Sequence, residues 1–289
     1  MRPWCDRARS LASALSLTLL APPAATLAQA PAAPAAATDQ GPLALARLSL
    51  VERKVELEKK GARWQAAVEG GPLAIGEALR TGPDAVARLE LPWMALTLSP
   101  GSSLRFPDAV LLSATLDSGR ALVEAPGRDA LKIVTGEAEV RGQGRAVVRR
   151  QGRSTLVTCL AGRFFVEAQG SVVSLTPGRG SVVAAGRAPA AAQDVPVAPT
   201  EGLWPAQDPV FVAPAESLEL RWKGSAPGYQ LELLPVGSDV VLMQRDVTAS
   251  PVKIEVPWEG AFRWRLSARD ARGLEGVPSA DGFIAVDAR

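Results

Sequence analysis

Few side chains in this sequence have the chemistry that catalysis needs. The 289 residues contain no His, two Cys and one Tyr, against seven Trp. General acid–base and nucleophilic catalysis rely mostly on His, activated Cys and carboxylates paired in a cleft. The acidic residues are scattered, and Cys159 lies alone in the apolar run 156–160, which is typical of a core cysteine. We therefore predict that the protein is not an enzyme, with no catalytic residue, no metal site and no cofactor.

Tryptophans are the residues that most clearly suggest binding. Trp93, Trp204 and Trp258 each have a proline as a direct neighbour in the sequence, which places them at predicted turns. Exposed aromatic faces bind sugars and protein partners. These three are the predicted ligand or partner surface, with capping of a core as the alternative. Trp222 and Trp264 fall in alternating runs and are predicted to be core residues.

The N-terminal thirty residues have the layout of a secretory signal peptide. Three arginines precede the apolar stretch 11–21, and Ala-Gln-Ala at 28–30 provides the small residues that signal peptidase needs. We predict cleavage after Ala30, a periplasmic or secreted location, and no integral membrane segment after cleavage. A spanning helix needs about 20 apolar residues, so an uncleaved anchor is the less favoured alternative.

Charge argues against a nucleic-acid partner. The chain has 32 basic and 30 acidic residues, and removal of the signal leaves 29 of each. Nucleic-acid-binding proteins usually show a basic excess on one face. The one local basic run, from Arg141 to Arg153, is predicted to be the exposed side of a hairpin.

Composition divides the chain into five segments. Two low-complexity Ala/Pro-rich stretches show no periodic apolar pattern, which predicts extended connections rather than packed structure. The predicted segments are a signal peptide at 1–30, a disordered tether at 31–46, a first domain at 47–185, an Ala/Pro linker at 186–204 and a second domain at 205–289.

Both domains are predicted to be all-β. Apolar and polar residues alternate with a period of two in short runs such as 87–91 and 95–98. Residues 43–60 are also predicted as strand, with a short helix in their first part as the alternative. Sequences rich in Gly, Pro and Asp predict breaks at 70–72, 81–84, 99–101, 117–119, 125–127 and 142–144.

The first domain resembles the FecR domain. Residues 71–82 read Gly-Pro-Leu-Ala-Ile-Gly-Glu-Ala-Leu-Arg-Thr-Gly, and residues 99–105 read Ser-Pro-Gly-Ser-Ser-Leu-Arg. The resemblance covers about residues 47–185. It implies an all-β domain outside the cytoplasm, either a sandwich or a short β-solenoid. In signalling members of the family, this domain passes a signal from an outer-membrane transporter to a cytoplasmic sigma factor.

The residues that carry this resemblance are of types that stabilise turns. Gly76 and Gly82 are predicted where the backbone needs a positive φ or a close approach. Glu77 and Thr81 are predicted to accept hydrogen bonds from turn amides, and Ser102 with its neighbour to close a tight turn. We therefore predict that the motif holds the fold rather than a ligand.

The second domain resembles a fibronectin type III module. Its alternating strands at 217–222, 229–234, 252–256 and 262–270 are followed by a Gly/Pro/Ser-rich turn and a closing strand at 283–286. Five or six short strands in one such segment predict a small immunoglobulin-like β-sandwich.

The predicted function combines these features. We expect a non-catalytic, exported FecR-domain protein of the bacterial cell envelope that binds a cell-wall glycan or an envelope protein. The alternative is a periplasmic adaptor of the FecR type that couples an envelope signal to sigma-factor regulation through a membrane partner. Signalling members of the family carry a cytoplasmic domain ahead of their membrane helix. About ten residues precede the apolar run here, too few to fold, so we do not expect direct regulation.

Overall fold

A computed structural model describes residues 44–60, 62–108, 113–127 and 132–287. The predicted signal peptide and most of the predicted tether lie outside these residues. The described chain contains 22 strands and no helix, which confirms the predicted all-β fold class. Consequently, none of these residues forms an apolar helix of membrane-spanning length. The described Cys, Asp and Glu side chains are not grouped as a metal site.

Fifteen strands form one large, mostly antiparallel sheet. In chain order these strands, β1 to β15, are Ala44–Glu52, Val55–Glu58, Trp64–Ala66, Pro72–Ala74, Ala78–Thr81, Val86–Leu91, Met94–Leu98, Ser103–Asp108, Ser113–Ala125, Lys132–Val134, Glu139–Gln151, Ser154–Ala168, Ser171–Leu175, Arg179–Ala184 and Gln193–Asp194. The main path through the sheet is β15-β14-β12-β11-β10-β9-β7-β6-β1-β4. A branch β8-β5-β2-β3 pairs with β9 through β8, and β13 pairs with β12. The long strands β9, β11 and β12 form its centre.

The strand prediction for residues 43–60 is confirmed, because β1 and β2 occupy this part of the chain. Arg53, the residue that breaks the alternating pattern, lies between them with a φ of 63°. This left-handed residue turns the chain out of β1 and into β2. Strand β1 begins at Ala44 and therefore includes residues that we assigned to the tether.

Two of the six predicted breaks are wrong, because the chain does not reverse there. Residues 117–119 lie inside β9, and residues 142–144 lie inside β11. Gly119 has a φ of +86°, and a Cβ built on it would lie 2.3 Å from the Ser102 Oγ. These glycines therefore serve close approach between neighbouring strands, which sequence patterns do not distinguish from a turn.

The predicted contacts of Glu77 and Thr81 with turn amides are confirmed, whereas the Ser102 hydroxyl bonds the Arg120 backbone of β9 instead of closing a turn. The Ala74 amide donates to the Glu77 carboxylate at 2.7 Å, and the Ser102 amide donates to the Thr81 hydroxyl at 2.9 Å. Gly76 has a φ of +83°. Because these polar side chains are buried, their hydrogen bonds are needed to offset desolvation of the turn amides.

The C-terminal part of the chain forms two further sheets. A five-stranded sheet has the order β16-β22-β21-β18-β19, and a two-stranded sheet pairs β17 with β20. Strands β16 to β22 are Val210–Val212, Ser217–Leu220, Gly228–Pro235, Met243–Val247, Val252–Glu255, Gly260–Arg269 and Gly282–Val286. Trp222 and Trp264 are buried in the core of this part, as predicted, and the Trp264 indole donates to the Pro205 carbonyl at 3.0 Å.

The large sheet forms the first β unit, and the two C-terminal sheets form the second. Residues 186–204, which we predicted to be a linker, contact both β units. Strand β15 pairs with β14, and the Val195 amide donates to the Gly178 carbonyl of the first unit at 3.1 Å. At the other end, Trp204 and Arg221 exchange backbone hydrogen bonds of 2.9 Å. Ala198 between them is buried.

The large sheet is covered on both faces at its centre. In β9, Ala121 and Val123 belong to the first hydrophobic core, so the alternating Arg120 and Leu122 point to the opposite face. Leu122 is 2% exposed, although it lies outside that core. The C-terminal unit covers this second face, where a Cβ on Gly180 would lie 2.9 Å from the Leu274 side chain.

A buried cluster of charges joins the two units. The Arg120 guanidinium binds the Glu275 carboxylate through two hydrogen bonds of 2.6 and 2.8 Å, and lies 3.1 Å from the Glu232 carboxylate. Glu232 also accepts from Arg265 and Gln244, each at 2.8 Å. The side chains of Arg120, Glu232 and Glu275 are only 3–4% exposed. We name these five residues the junction cluster.

The junction cluster predicts a loss of stability in acid. Burial by itself would raise the pKa of Glu232, but attraction to Arg120 and Arg265 outweighs it and holds that pKa below the ordinary value of 4.5. A carboxylate with a lowered pKa stabilises the fold above its unfolded-state pKa and loses this effect as the pH falls through its folded-state pKa. We expect the stability difference between wild type and Glu232→Gln to be largest above about pH 5 and to shrink toward pH 3.

Urea unfolding at a series of pH values measures this difference directly, because titrations elsewhere in the chain cancel between the two proteins. A difference that stays constant, or one that grows as the pH falls, would contradict the assignment of a charged Glu232 in the folded protein.

Candidate functional site

A pocket of about 590 Å³ lies beside Trp93. The turn between β6 and β7, residues 91–94, provides its apolar wall, and the end of β9 with the middle of β11 provides the rest of the lining. Trp93 is partly buried and packs against the first core, so the indole ring is held in place rather than free in solvent. We name this cavity the Trp93 pocket.

Charged side chains from strands β6, β9 and β11 border the apolar wall. Glu124 is opposite Arg145 in the β9–β11 register, and Arg88 lies on β6. The Arg88 guanidinium donates to the Glu124 carboxylate at 2.5 Å, and the Arg145 Nε lies 3.5 Å from the other carboxylate oxygen. The exposed Glu90 lies 3.9 Å from the Arg88 Nε. Two arginines and two carboxylates leave the pocket without net charge.

Unpaired donors are concentrated at the Trp93 pocket. Among the described residues, seven buried side-chain nitrogen or oxygen atoms have no hydrogen-bond partner. Three of them, the Trp93 Nε1 and the Nε atoms of Arg88 and Arg145, belong to residues that line this pocket. Buried donors without a partner are uncommon in folded proteins, and ordered water often satisfies them.

A second, more polar cleft of about 700 Å³ lies at the junction of the two units. Its walls come from the turns around Asp84 and Pro100, from Arg149 on β11, and from strands β19 and β20. Arg149 donates to the Gln230 side chain at 3.1 Å, and its side chain is 14% exposed. The prediction that the basic run at 141–153 is the exposed side of a hairpin is therefore wrong for Arg149, because the C-terminal unit covers it. We name this cavity the junction cleft.

The three predicted surface tryptophans do not form one site. Trp93 lines the pocket described above, whereas Trp258 packs against the second core with its ring centroid 6.3 Å from that of Phe262. Trp204 is 43% exposed, and the Arg221 guanidinium lies 5.4 Å from its ring centroid. Of the three, Trp93 alone combines an aromatic side chain with an enclosing cavity among the described residues.

Sequence reasoning did not find the charged partners of Trp93. Arg88, Glu124 and Arg145 are far apart in the sequence and meet only because β6, β7, β9 and β11 are neighbours in the sheet. The one local signal was Pro92-Trp93 at a predicted turn. A neutral pocket with an aromatic wall and charged side chains along its border can bind an uncharged molecule rich in hydroxyl groups.

Comparison with known proteins adds little to this geometry. No protein-family model matches the chain, and no curated protein matches it either. Two crystal structures of a putative anti-sigma factor from Parabacteroides distasonis ATCC 8503, at 1.65 and 2.50 Å resolution, are similar to it, each with 18% identity and a TM-score of 0.35. The similarity covers 40% of this chain and 59% of that chain, so this chain spans less than two thirds of the protein it matches.

Proposed function

We propose that this chain is a non-catalytic, exported protein of the bacterial cell envelope that binds a wall glycan in the Trp93 pocket. The observation that carries the proposal is the Trp93 indole, which is held against the first core beside a cavity bordered by two arginines and two carboxylates. In this proposal residues 47–185 form a FecR-like domain and residues 205–289 a fibronectin type III-like module. The Sec-type signal carries the chain to the periplasm or beyond.

The charge balance of the pocket favours a glycan over an anionic or cationic ligand. Arg88 and Arg145 are matched by Glu90 and Glu124, so neither an anion nor a cation gains a large attraction. Sugar hydroxyls both donate and accept, which suits a border of guanidinium and carboxylate groups around one aromatic ring. The flat, apolar wall at residues 91–94 suits the apolar face of a sugar ring.

Sedimentation with washed cell-wall sacculi tests this proposal. The protein without its signal, residues 31–289, is expected to pellet with sacculi in a saturable manner. We expect Trp93→Ala to weaken binding about tenfold, because loss of a central aromatic contact typically costs more than 1 kcal/mol and 1.4 kcal/mol corresponds to a factor of ten. The matched control is Trp204→Ala, which removes an exposed tryptophan outside the pocket and is expected to bind like wild type.

Two results would overturn the proposal. One is a wild-type protein that stays in the supernatant at all sacculus concentrations. The other is equal binding by wild type and Trp93→Ala, with circular dichroism showing that both are folded. If Trp204→Ala alone loses binding, the glycan site lies at the C-terminal unit instead.

The second candidate function is a signalling adaptor that relays an envelope signal to a sigma-factor system through a membrane partner. It is supported by the junction cluster, because a rigid connection makes the two β units move together. A displacement caused by a contact on one unit is then transmitted to the other. Membrane fractionation of cells that export the full chain tests it. Retention in the membrane fraction, released by detergent but not by salt, is expected for the adaptor, and free release from the periplasm contradicts it.

A further inference from the structure

The junction cleft carries charge that its own residues do not balance. Arg53 is paired with Asp84 at 2.7 Å, and Asp246 is shared between Arg149 at 3.6 Å and Arg269 at 2.7 Å. Arg245 and Lys253 also line the cleft, and neither has an ion-pair partner among the described residues. Outside the junction cluster, the basic lining residues are Arg53, Arg149, Arg245 and Lys253 and the acidic ones are Asp84, Asp246 and Glu255, so the cleft keeps one positive charge in excess.

Two polar atoms at the same cleft are buried without a hydrogen bond. They are the Nε of Arg149 and the Oε1 of Gln244, whose residue is 4% exposed. Burial lowers the pKa of Arg149, and the nearby Arg269 and Arg120 act in the same direction, although Glu275 and Asp246 oppose them. A negatively charged group beside Arg149 would therefore relieve an electrostatic cost of that side chain, although it offers no donor to the Gln244 Oε1.

The wall of the cleft is also an open sheet edge. Within the described part of the chain, β19 pairs with β18 alone and β20 pairs with β17 alone, so each has one edge without a described strand neighbour. Among the described residues, one side-chain-to-backbone hydrogen bond connects the two edges. The Arg245 guanidinium on β19 donates to the Lys253 carbonyl on β20 at 3.1 Å. An open edge offers unpaired N–H and C=O groups to an extended segment of another protein.

We propose that the junction cleft binds an extended, acidic segment of a partner protein, which adds as a strand along β19 and places its carboxylates against Arg149, Arg245 and Lys253. The sheet edge supplies main-chain hydrogen bonds, and the basic side chains select acidic residues at alternate positions. This site is separate from the Trp93 pocket, so the segment and the glycan do not compete.

Fluorescence anisotropy with a labelled octapeptide of alternating Glu and Thr tests the proposal on residues 31–289. We expect saturable binding that weakens as salt rises, and no binding by the same peptide with Lys in place of Glu. The double substitution Arg245→Glu and Lys253→Glu is expected to weaken binding about tenfold or more, because like charges then face each other. Both side chains are exposed, so this variant is expected to fold.

The matched control is Lys59→Glu with Arg163→Glu, which makes the same change of charge at exposed positions outside the cleft. Equal weakening by the two double variants would mean that net charge alone governs binding and would overturn the proposal. So would the absence of saturable binding to wild type.

The chemical class of the occupant is tested separately. An octapeptide N-methylated at every backbone amide cannot donate to the ladder from either edge and is expected to lose binding. Unchanged affinity of the methylated peptide, together with tighter binding of polygalacturonate, would assign the cleft to an anionic glycan and overturn the protein-segment proposal.

Discussion

Substitution of Arg120 by Met is expected to lower the free energy of unfolding by about 3–5 kcal/mol, the range observed when one partner of a buried ion pair is removed. Among the described residues, Arg120 is the one side-chain cation within ion-pair distance of Glu275, whose side chain is 3% exposed. Without Arg120, this carboxylate must stay charged in a nonpolar surrounding, take up a proton, or open the junction to water. Each of these outcomes costs free energy that the native cluster avoids.

Urea unfolding followed by tryptophan fluorescence provides the measurement. The control is Arg141→Met, because Arg141 is 58% exposed and 3.4 Å from Glu167. Exposed pairs of this kind contribute about 0–1 kcal/mol, so the control is expected to resemble wild type. If Arg120→Met unfolds at the wild-type urea concentration, the junction cluster does not stabilise the protein.

A double substitution separates charge from shape at the same place. Arg120→Met with Glu275→Leu replaces the pair by apolar side chains and is expected to recover a large part of the stability lost in Arg120→Met. A double variant that is less stable than either single variant would instead show that the ion pair itself, and not the unpaired carboxylate, accounts for the loss.

Substitution of Gly162 by Ala is expected to cost about 3 kcal/mol or more, from a left-handed backbone conformation together with overpacking. Gly162 has a φ of +79° and is opposite Gly144 in the β11–β12 register. A Cβ on Gly162 would lie 2.1 Å from the Gln143 carbonyl oxygen, which is backbone and cannot rotate away. The two strands must therefore separate where β11 carries Arg145 to the Trp93 pocket.

Gly170→Ala is the matched control. Gly170 has a φ of +71°, but a Cβ there meets nothing within 4 Å. This variant keeps the conformational cost of about 1–2 kcal/mol and lacks the clash. The difference between the two unfolding free energies therefore measures the close approach of β11 and β12. Equal losses would show that the strands can part at no cost.

Strand positions and core tryptophans follow from the sequence by itself. Alternation at 87–91 and 95–98 corresponds to β6 and β7, because a strand with one face against a core must repeat every two residues. Trp222 and Trp264 were predicted as core on the same ground and are buried. Strand β19 was not predicted, because the polar sequence Met-Gln-Arg-Asp-Val shows no apolar alternation. Its Gln244 faces the junction, where its side-chain amide donates to the buried Glu232 carboxylate.

Only the tertiary structure decided which polar residues are buried and which come together. Arg120 is a basic residue flanked by Gly119 and Ala121, and such a residue is usually exposed. It is buried because Glu232 and Glu275, 112 and 155 residues later in the chain, provide the opposite charges. Sheet order likewise determines that Glu124 meets Arg88 and Arg145 beside Trp93. Local sequence specifies the period of a strand, whereas the partner of a charged side chain depends on which strand becomes its neighbour.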